Sequence, residues 1–115
     1  VCGDRWHSLE WPESFRAHRN VLEKLDASLL QTHVLAPLLG IANPRTDQRI
    51  RFMGGDRPPA ELENLVRSGA CSIAFSLFPV SIEDLMAVSD SRLVMPPKST
   101  WFEPKLLDGL FCHLI

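Results

Sequence analysis

Apolar residues recur at every third or fourth position in three parts of this chain, at residues 27–40, 58–69 and 81–88. This spacing places them on one side of a helix, so it predicts three amphipathic helices. A fourth segment, residues 13–25, has a weaker pattern because a polar run interrupts it. Glycine stands at the end of the first two helices, where it is a preferred stop signal.

The same spacing predicts the buried sides of the first and last of these helices. Asp26 is the candidate N-cap of the first helix, and its apolar positions Leu30, Val34 and Leu38 recur at every fourth residue. Pro37 lies late in this pattern and is expected to kink or loosen the last turn, because proline has no N–H. The stripe predicted to be buried in the last helix contains Ile82, Leu85 and Met86.

Alternation of apolar and polar residues predicts strands elsewhere, at residues 4–11, 49–55, 71–80 and 109–115. The third of these segments contains no charged residue, which is typical of a central strand that is covered on both faces. One of its sides is formed by small residues and invites the close approach of a helix or a ligand. These small residues are Ser72, Ala74 and Ser76.

The order of helices and strands predicts an α/β or α+β fold. We expect residues 1–115 to form a single layered domain, in which about four strands make a mixed sheet and three to four helices pack on it.

Composition narrows the classes of protein. Twelve basic and fourteen acidic residues give a formal net charge of −2, which removes the bulk electrostatic argument for a nucleic-acid or membrane partner. No apolar run approaches the length of a membrane span, so a cytoplasmic protein is expected. The three cysteines and four histidines show no metal-ligand spacing, and no metal site or particular cofactor is indicated.

The segment from Val94 to Leu110 combines prolines, lysines, hydroxyl groups and two aromatic residues. Pro96 and Pro97 restrict the backbone and would hold the loop after them in few conformations. Cationic and hydroxyl groups in such a loop suit a phosphate or carboxylate ligand, although a purely structural crossover is the alternative. The candidate ligand-binding residues are Lys98, Ser99, Thr100 and Lys105.

Three further residues are secondary candidates. Arg57 follows the glycine pair Gly54–Gly55, which could admit an anion at a helix start but is more simply interpreted as a turn. Trp101 could stack on a base or sugar, or pin its loop to the core. His113 is either an outward or a satisfied core residue, with catalysis as the third alternative.

Several segments resemble the C-terminal end of the bacterial domain-of-unknown-function 1015 family, above all "MPPKSTWFEPKLLDGL", with "RIRFMGG" and "AFSLFPVSIEDLMAVSD" before it in the same order. The resemblance covers residues 6–115. It implies that the chain is the C-terminal part of a longer protein and that an N-terminal part of the same polypeptide is a partner. The family is loosely associated with the ParB-like superfamily and with genes of serine biosynthesis, but no established activity or catalytic residue can be transferred.

Together these observations favour an anion-contacting part of a small-metabolite enzyme linked to amino-acid (serine) metabolism, with a small anionic metabolite as ligand. The alternatives are a non-catalytic binding or regulatory module, including a ParB-like nucleic-acid association, and a structural or dimerisation domain whose terminal strands pair as edges in a homodimer. The sequence does not decide between an enzyme and a non-catalytic protein.

Overall fold

The computed structural model of the chain describes residues 1–100. Its regular elements are helical and short, and the longest of them have nine residues. They are the helices α1 (Glu13–Arg16), α2 (Asp26–Leu30), α3 (Pro59–Arg67) and α4 (Ile82–Asp90), with a π-helical turn, Gln31–Leu35, that continues α2 directly.

The predicted four-stranded sheet is wrong, because residues 1–100 contain no strand. Only isolated bridges occur there, from Cys2 to Arg5 and from Cys2 to Ile73. Alternation shows which residues would share a side of an extended backbone, but a sheet also needs a neighbouring strand to complete its hydrogen bonds. The predicted segments 4–11, 49–55 and 71–80 lack that neighbour, and segment 109–115 lies outside the described residues.

Pro37 disturbs the helix that was predicted to begin after Asp26, and Asp26 is the first residue of α2 instead of its predicted N-cap. Proline has no N–H and its ring crowds the carbonyl one turn before it, so the α-helical ladder is interrupted at this residue. The amide of Ala36 instead donates to Gln31 O over 3.0 Å, five residues back, as in a π-helix. The wider turn rotates the positions that follow, and Leu38, predicted to be buried, is 73 % exposed. The predicted loosening is confirmed, and the predicted position of the apolar stripe is wrong at its end.

Two side chains hold the end of this helix against the loop that follows. Gly40 has φ 66°, the left-handed value that glycine adopts at little cost. Arg49 donates to the carbonyls of Leu39 and Gly40 over 3.2 and 2.9 Å. Gln31 donates through its amide nitrogen to Ile41 O over 2.8 Å. These bonds tie the carbonyls of residues 39–41, just after the helix, to side chains on either side of them.

The helices α3 and α4 confirm the predicted helices at residues 58–69 and 81–88. Ser81 caps α4, because its hydroxyl oxygen accepts from the amide of Asp84 over 3.0 Å. The stripe predicted for α4 is wrong at two positions, since Ile82 is 71 % and Met86 59 % exposed. The helix is held instead by Val88, which is 1 % exposed.

The core lies around the π-helical turn. Leu30, Leu35 and Ile41 form a buried cluster, and Leu29, on the same helix, is fully buried. The partly buried apolar residues that pack on the cluster are Trp11, Val34, Leu39, Ile50 and Phe75. Through Trp11 and Phe75, the N-terminal segment and the segment before α4 both contact this core. Within the described range, no helix is long and apolar enough to cross a bilayer.

Candidate functional site

A cleft of about 280 Å³ opens between three parts of the chain. One wall is the segment before α1, a second is α2, and the third is the segment before α4. We call it the tryptophan cleft. Its lining residues are Val1, Trp6, His7, Ser8, Leu9, Trp11, Asp26, Leu30, Ala74, Phe75, Ser76, Leu77 and Phe78.

The backbone of the N-terminal segment approaches residues 73 and 74 closely. The amide of Ala74 donates to Val1 O over 3.0 Å, and Cys2 forms a bridge with Ile73. Ala74 is buried, so a larger side chain would meet the neighbouring chain there. The small residues Ala74 and Ser76 line the cleft. The segment that approaches residue 74 is the extended N-terminus, so the predicted approach of a helix or a ligand stays a prediction.

Aromatic contacts fix one wall of the cleft. The Trp11 ring lies 6.3 Å from that of Phe15 and 6.0 Å from that of His33, measured between centroids. Phe15 and His33 stack at 4.3 Å with an angle of 22° between their planes. These separations are typical of favourable aromatic pairs. His33 is half-buried in this group.

A hydrogen bond positions the other indole. Trp6 donates through Nε1 to Glu63 Oε1 on α3. This bond ties the N-terminal segment to α3, while the ring of Trp6 remains at the rim of the cleft. Because indole nitrogen is a donor only, the contact also fixes which edge of the ring points away from the cleft.

Four polar side chains accompany the aromatic ones, and one of them is charged. Asp26 accepts from Arg16 Nη2 over 2.8 Å, which links α1 to α2. The other three carry an imidazole or a hydroxyl, which can donate or accept. They are His7, Ser8 and Ser76. The cleft thus combines apolar aromatic walls with a small number of polar groups, as ligand sites commonly do.

The predicted anion-binding loop lies elsewhere, because none of Lys98, Ser99 and Thr100 lines the cleft. Lys98 is exposed with φ 57°, the left-handed value. Ser99 donates its hydroxyl to Pro96 O over 2.7 Å, and its amide reaches the same oxygen over 3.4 Å. Proline at the first central position and a positive φ at the second are typical of a type II turn. The hydroxyl of Ser99 therefore stabilises the turn.

The remaining candidates separate into two groups. Arg57 donates to Glu61 Oε2 over 3.0 Å within the first turn of α3, and this hydrogen bond raises the pKa of its guanidinium. The amide of Arg57 bonds to Gly54 O, so the glycine pair forms a turn, as the simpler interpretation held. The candidates Trp101, Lys105 and His113 lie outside the described residues.

No group of three or more histidine, cysteine, aspartate or glutamate side chains between residues 1 and 100 could hold a metal ion. The displaced pKa values belong to exposed ion pairs outside the cleft. Hydrogen bonds from the Arg49 side chain lower the pKa of Asp47 to about 2, and Asp47 in turn raises the pKa of Arg49.

Sequence reasoning missed the tryptophan cleft. The N-terminal alternation was used only to predict a strand, with its inner face undecided, and the aromatic residues Trp6 and Trp11 were not proposed as ligand contacts. Two tryptophans within six positions were the signal that could have indicated them, because tryptophan is enriched where one edge must stay accessible.

No protein-family model matches the chain. No curated protein and no solved structure matches it either. The resemblance to the domain-of-unknown-function 1015 family therefore stays a prediction, and the site has to be interpreted from its own chemistry.

Proposed function

We propose that this chain is a ligand-binding domain whose tryptophan cleft takes a small planar molecule with one hydrogen-bonding group. The observation that supports this proposal best is the lining of the cleft, where four aromatic side chains meet a few groups that can donate or accept. Aromatic rings stack on planar ligands at little conformational cost, because their side chains have only two rotatable bonds. Binding without catalysis is the version that the described residues support.

The size of the cleft limits the ligand. Its volume of about 280 Å³ lies just below the range of pockets for drug-sized molecules, roughly 300–1,000 Å³. A one- or two-ring compound matches that space. Such a fragment is expected to bind with a Kd on the order of 1 mM, about −4 kcal/mol.

The charge at the cleft differs from that of the predicted anion site. The lining contains one acidic side chain, Asp26, and no lysine or arginine. Arg16, outside the lining, pairs with the Asp26 carboxylate over 2.8 Å, so the lining itself offers a phosphate or carboxylate ligand no cationic side chain of that kind. An anion site built on Lys98, Ser99, Thr100 and Lys105 stays a separate prediction, which loss of phosphate binding in Lys98→Ala would support.

A pair of probes with the same size and the same hydroxyl tests the proposal. Isothermal titration calorimetry should show that benzyl alcohol, which is planar, binds at least several times more tightly than cyclohexylmethanol, which is not. Equal affinities would mean that ring stacking has no part in binding, and no heat from either probe would remove the proposal.

Two phenylalanine substitutions locate the binding. Phe78→Ala removes a highly exposed ring from the cleft and should weaken benzyl alcohol binding severalfold without unfolding the chain. Phe52→Ala is the matched control, because Phe52 is also exposed but does not line the cleft. Equal effects of the two substitutions would place the ligand elsewhere.

A further inference from the structure

Helix α4 exposes an apolar face that the tryptophan cleft does not use. Ile82 and Met86, one turn apart, form this α4 face, and neither lines the cleft. Phe78 and Val94 flank the helix in sequence and are also largely exposed. Single exposed apolar residues are normal, but two that share one turn of a helix form a continuous apolar face of the kind that marks interfaces.

The charges around the α4 face indicate the kind of partner. Between residues 77 and 94 there are three carboxylates, Glu83, Asp84 and Asp90, and one guanidinium, Arg92. All four side chains belong to exposed residues. At about 100° per residue, Glu83 and Asp90 lie beside the stripe of Ile82 and Met86, whereas Asp84 lies on the opposite side of the helix, where it accepts from the Ser81 hydroxyl. The stripe is therefore bordered by two carboxylates. A partner that carries positive charges around a complementary apolar surface is therefore attracted to the α4 face.

A second copy of the chain fits this face less well. An isologous contact would place the same acidic border, Glu83 and Asp90, on both sides of the interface. Like charges brought together across an interface weaken association. The same border also opposes an anionic membrane surface.

We propose that the α4 face binds an amphipathic helix of another polypeptide, whose apolar stripe is bordered by lysine or arginine. Ile82 and Met86 pack against the apolar stripe of this partner, in the manner of helix-in-groove recognition. Glu83 and Asp90 lie near its basic residues and add orientation and salt sensitivity.

Three synthetic peptides of about four helical turns test this inference by fluorescence anisotropy with the complete chain. The first has a leucine stripe bordered by lysines, the second replaces the lysines by glutamates, and the third keeps the lysines but scrambles the stripe. At low salt, the first should bind at least about tenfold more tightly than either of the others. Equal binding of the first and third would reduce the effect to charge alone and overturn the inference.

A pair of uncharged substitutions locates the peptide. Ile82→Ser should weaken binding of the lysine peptide by about tenfold, because it removes the apolar contact. Leu38→Ser is the matched control, since Leu38 is 73 % and Ile82 71 % exposed. Both variants should keep the circular dichroism spectrum of the parent. Equal losses in the two variants would overturn the assignment to the α4 face.

Sedimentation velocity tests whether a second copy of the chain occupies the α4 face instead. The parent chain should stay monomeric at concentrations where the lysine peptide binds. A concentration-dependent dimer that Ile82→Ser abolishes would show that a second copy occupies the face, and would also overturn the inference. Neither result depends on benzyl alcohol binding, so this inference and the proposed function can fail separately.

Discussion

The segments 25–41 and 77–94 are equally apolar in sequence, but most of the buried residues lie in the first of them. Each contains ten residues of the types alanine, valine, isoleucine, leucine, methionine and phenylalanine. Five of the ten are buried in segment 25–41, and only Val88 is buried in segment 77–94. Apolar content alone therefore does not decide burial, and the difference lies in what the rest of the chain places over each segment.

Local geometry explains the contrast. In the first segment, the π-helical turn and Gly40 fold the chain back, so that Ile41 meets Leu30 and Leu35. In the second, α4 is a straight nine-residue helix that is held mainly through Val88. The first segment is covered by its own loop and by Trp11, Ile50 and Phe75, and the second presents an open face.

The largest effect is expected from Leu29→Ala, which removes a fully buried side chain. The free energy of unfolding should fall by about 2–5 kcal/mol, because the transfer and cavity terms add. Ile82→Ala is the counterpart in the exposed segment and should cost less than about 0.5 kcal/mol. Urea denaturation measures both. Similar costs at the two positions would show that the α4 face is covered.

A smaller effect is expected from Ser81→Ala, which removes the N-cap of α4. The loss of this hydrogen bond should lower the free energy of unfolding by about 1 kcal/mol. Ser89→Ala is the control, since Ser89 is exposed within the same helix. If Ser81→Ala changed the free energy of unfolding as little as the control does, the cap would not stabilise α4.

The ends of α3 and α4 give a third comparison. Gly69 and Arg92 both follow their helix with positive φ, 75° and 55°. Arginine pays a steric cost there that glycine does not, so Arg92→Gly should raise the free energy of unfolding by about 0.5–1 kcal/mol. The reverse change, Gly69→Ala, should lower it by a similar amount. Thermal unfolding of both variants measures the pair, and a loss of stability in Arg92→Gly would contradict the assigned cap.

The smallest effect concerns Asp47, in the loop that closes the buried segment. Its pKa in the folded chain is about 2, against roughly 3.9 in an unfolded chain. The folded state therefore favours the ionised carboxylate, and this contribution is complete above pH 5 and is lost as the pH falls from about 4 to 2. Asp47→Asn should remove that part of the pH dependence. If the free energy of unfolding depended on pH in the variant as it does in the parent, Asp47 would have no part in stability at acid pH.

The helices could be predicted from sequence because their signals are local. Ser81, Gly40 and Gly69 act within one turn of the helix they limit, and Pro37 changes the ladder at its own position. The sequence predicted less reliably which side of each helix is buried. The extra residue in the π-helical turn moved Leu38 outward, and nothing in the pattern of α4 shows which side another segment will cover.

The sheet and the site depended on contacts between distant residues. A period of two cannot supply a pairing partner, and segments 49–55 and 71–80 are not paired in a sheet. The cleft joins residues near position 6 to residues near position 76, a combination that no spacing within either segment reveals. The proline-rich loop was proposed as an anion site because its composition is unusual. In the structure, the hydroxyl of Ser99 donates to Pro96 O within the turn itself.

The most direct test is a proton–nitrogen NMR titration that follows the indole N–H signals of Trp6 and Trp11. Benzyl alcohol in the tryptophan cleft should shift both signals along one saturable curve, and cyclohexylmethanol should shift them much less. Indole signals that stay unmoved by benzyl alcohol, while other residues respond or none does, would contradict the central claim that these two rings form a ligand site.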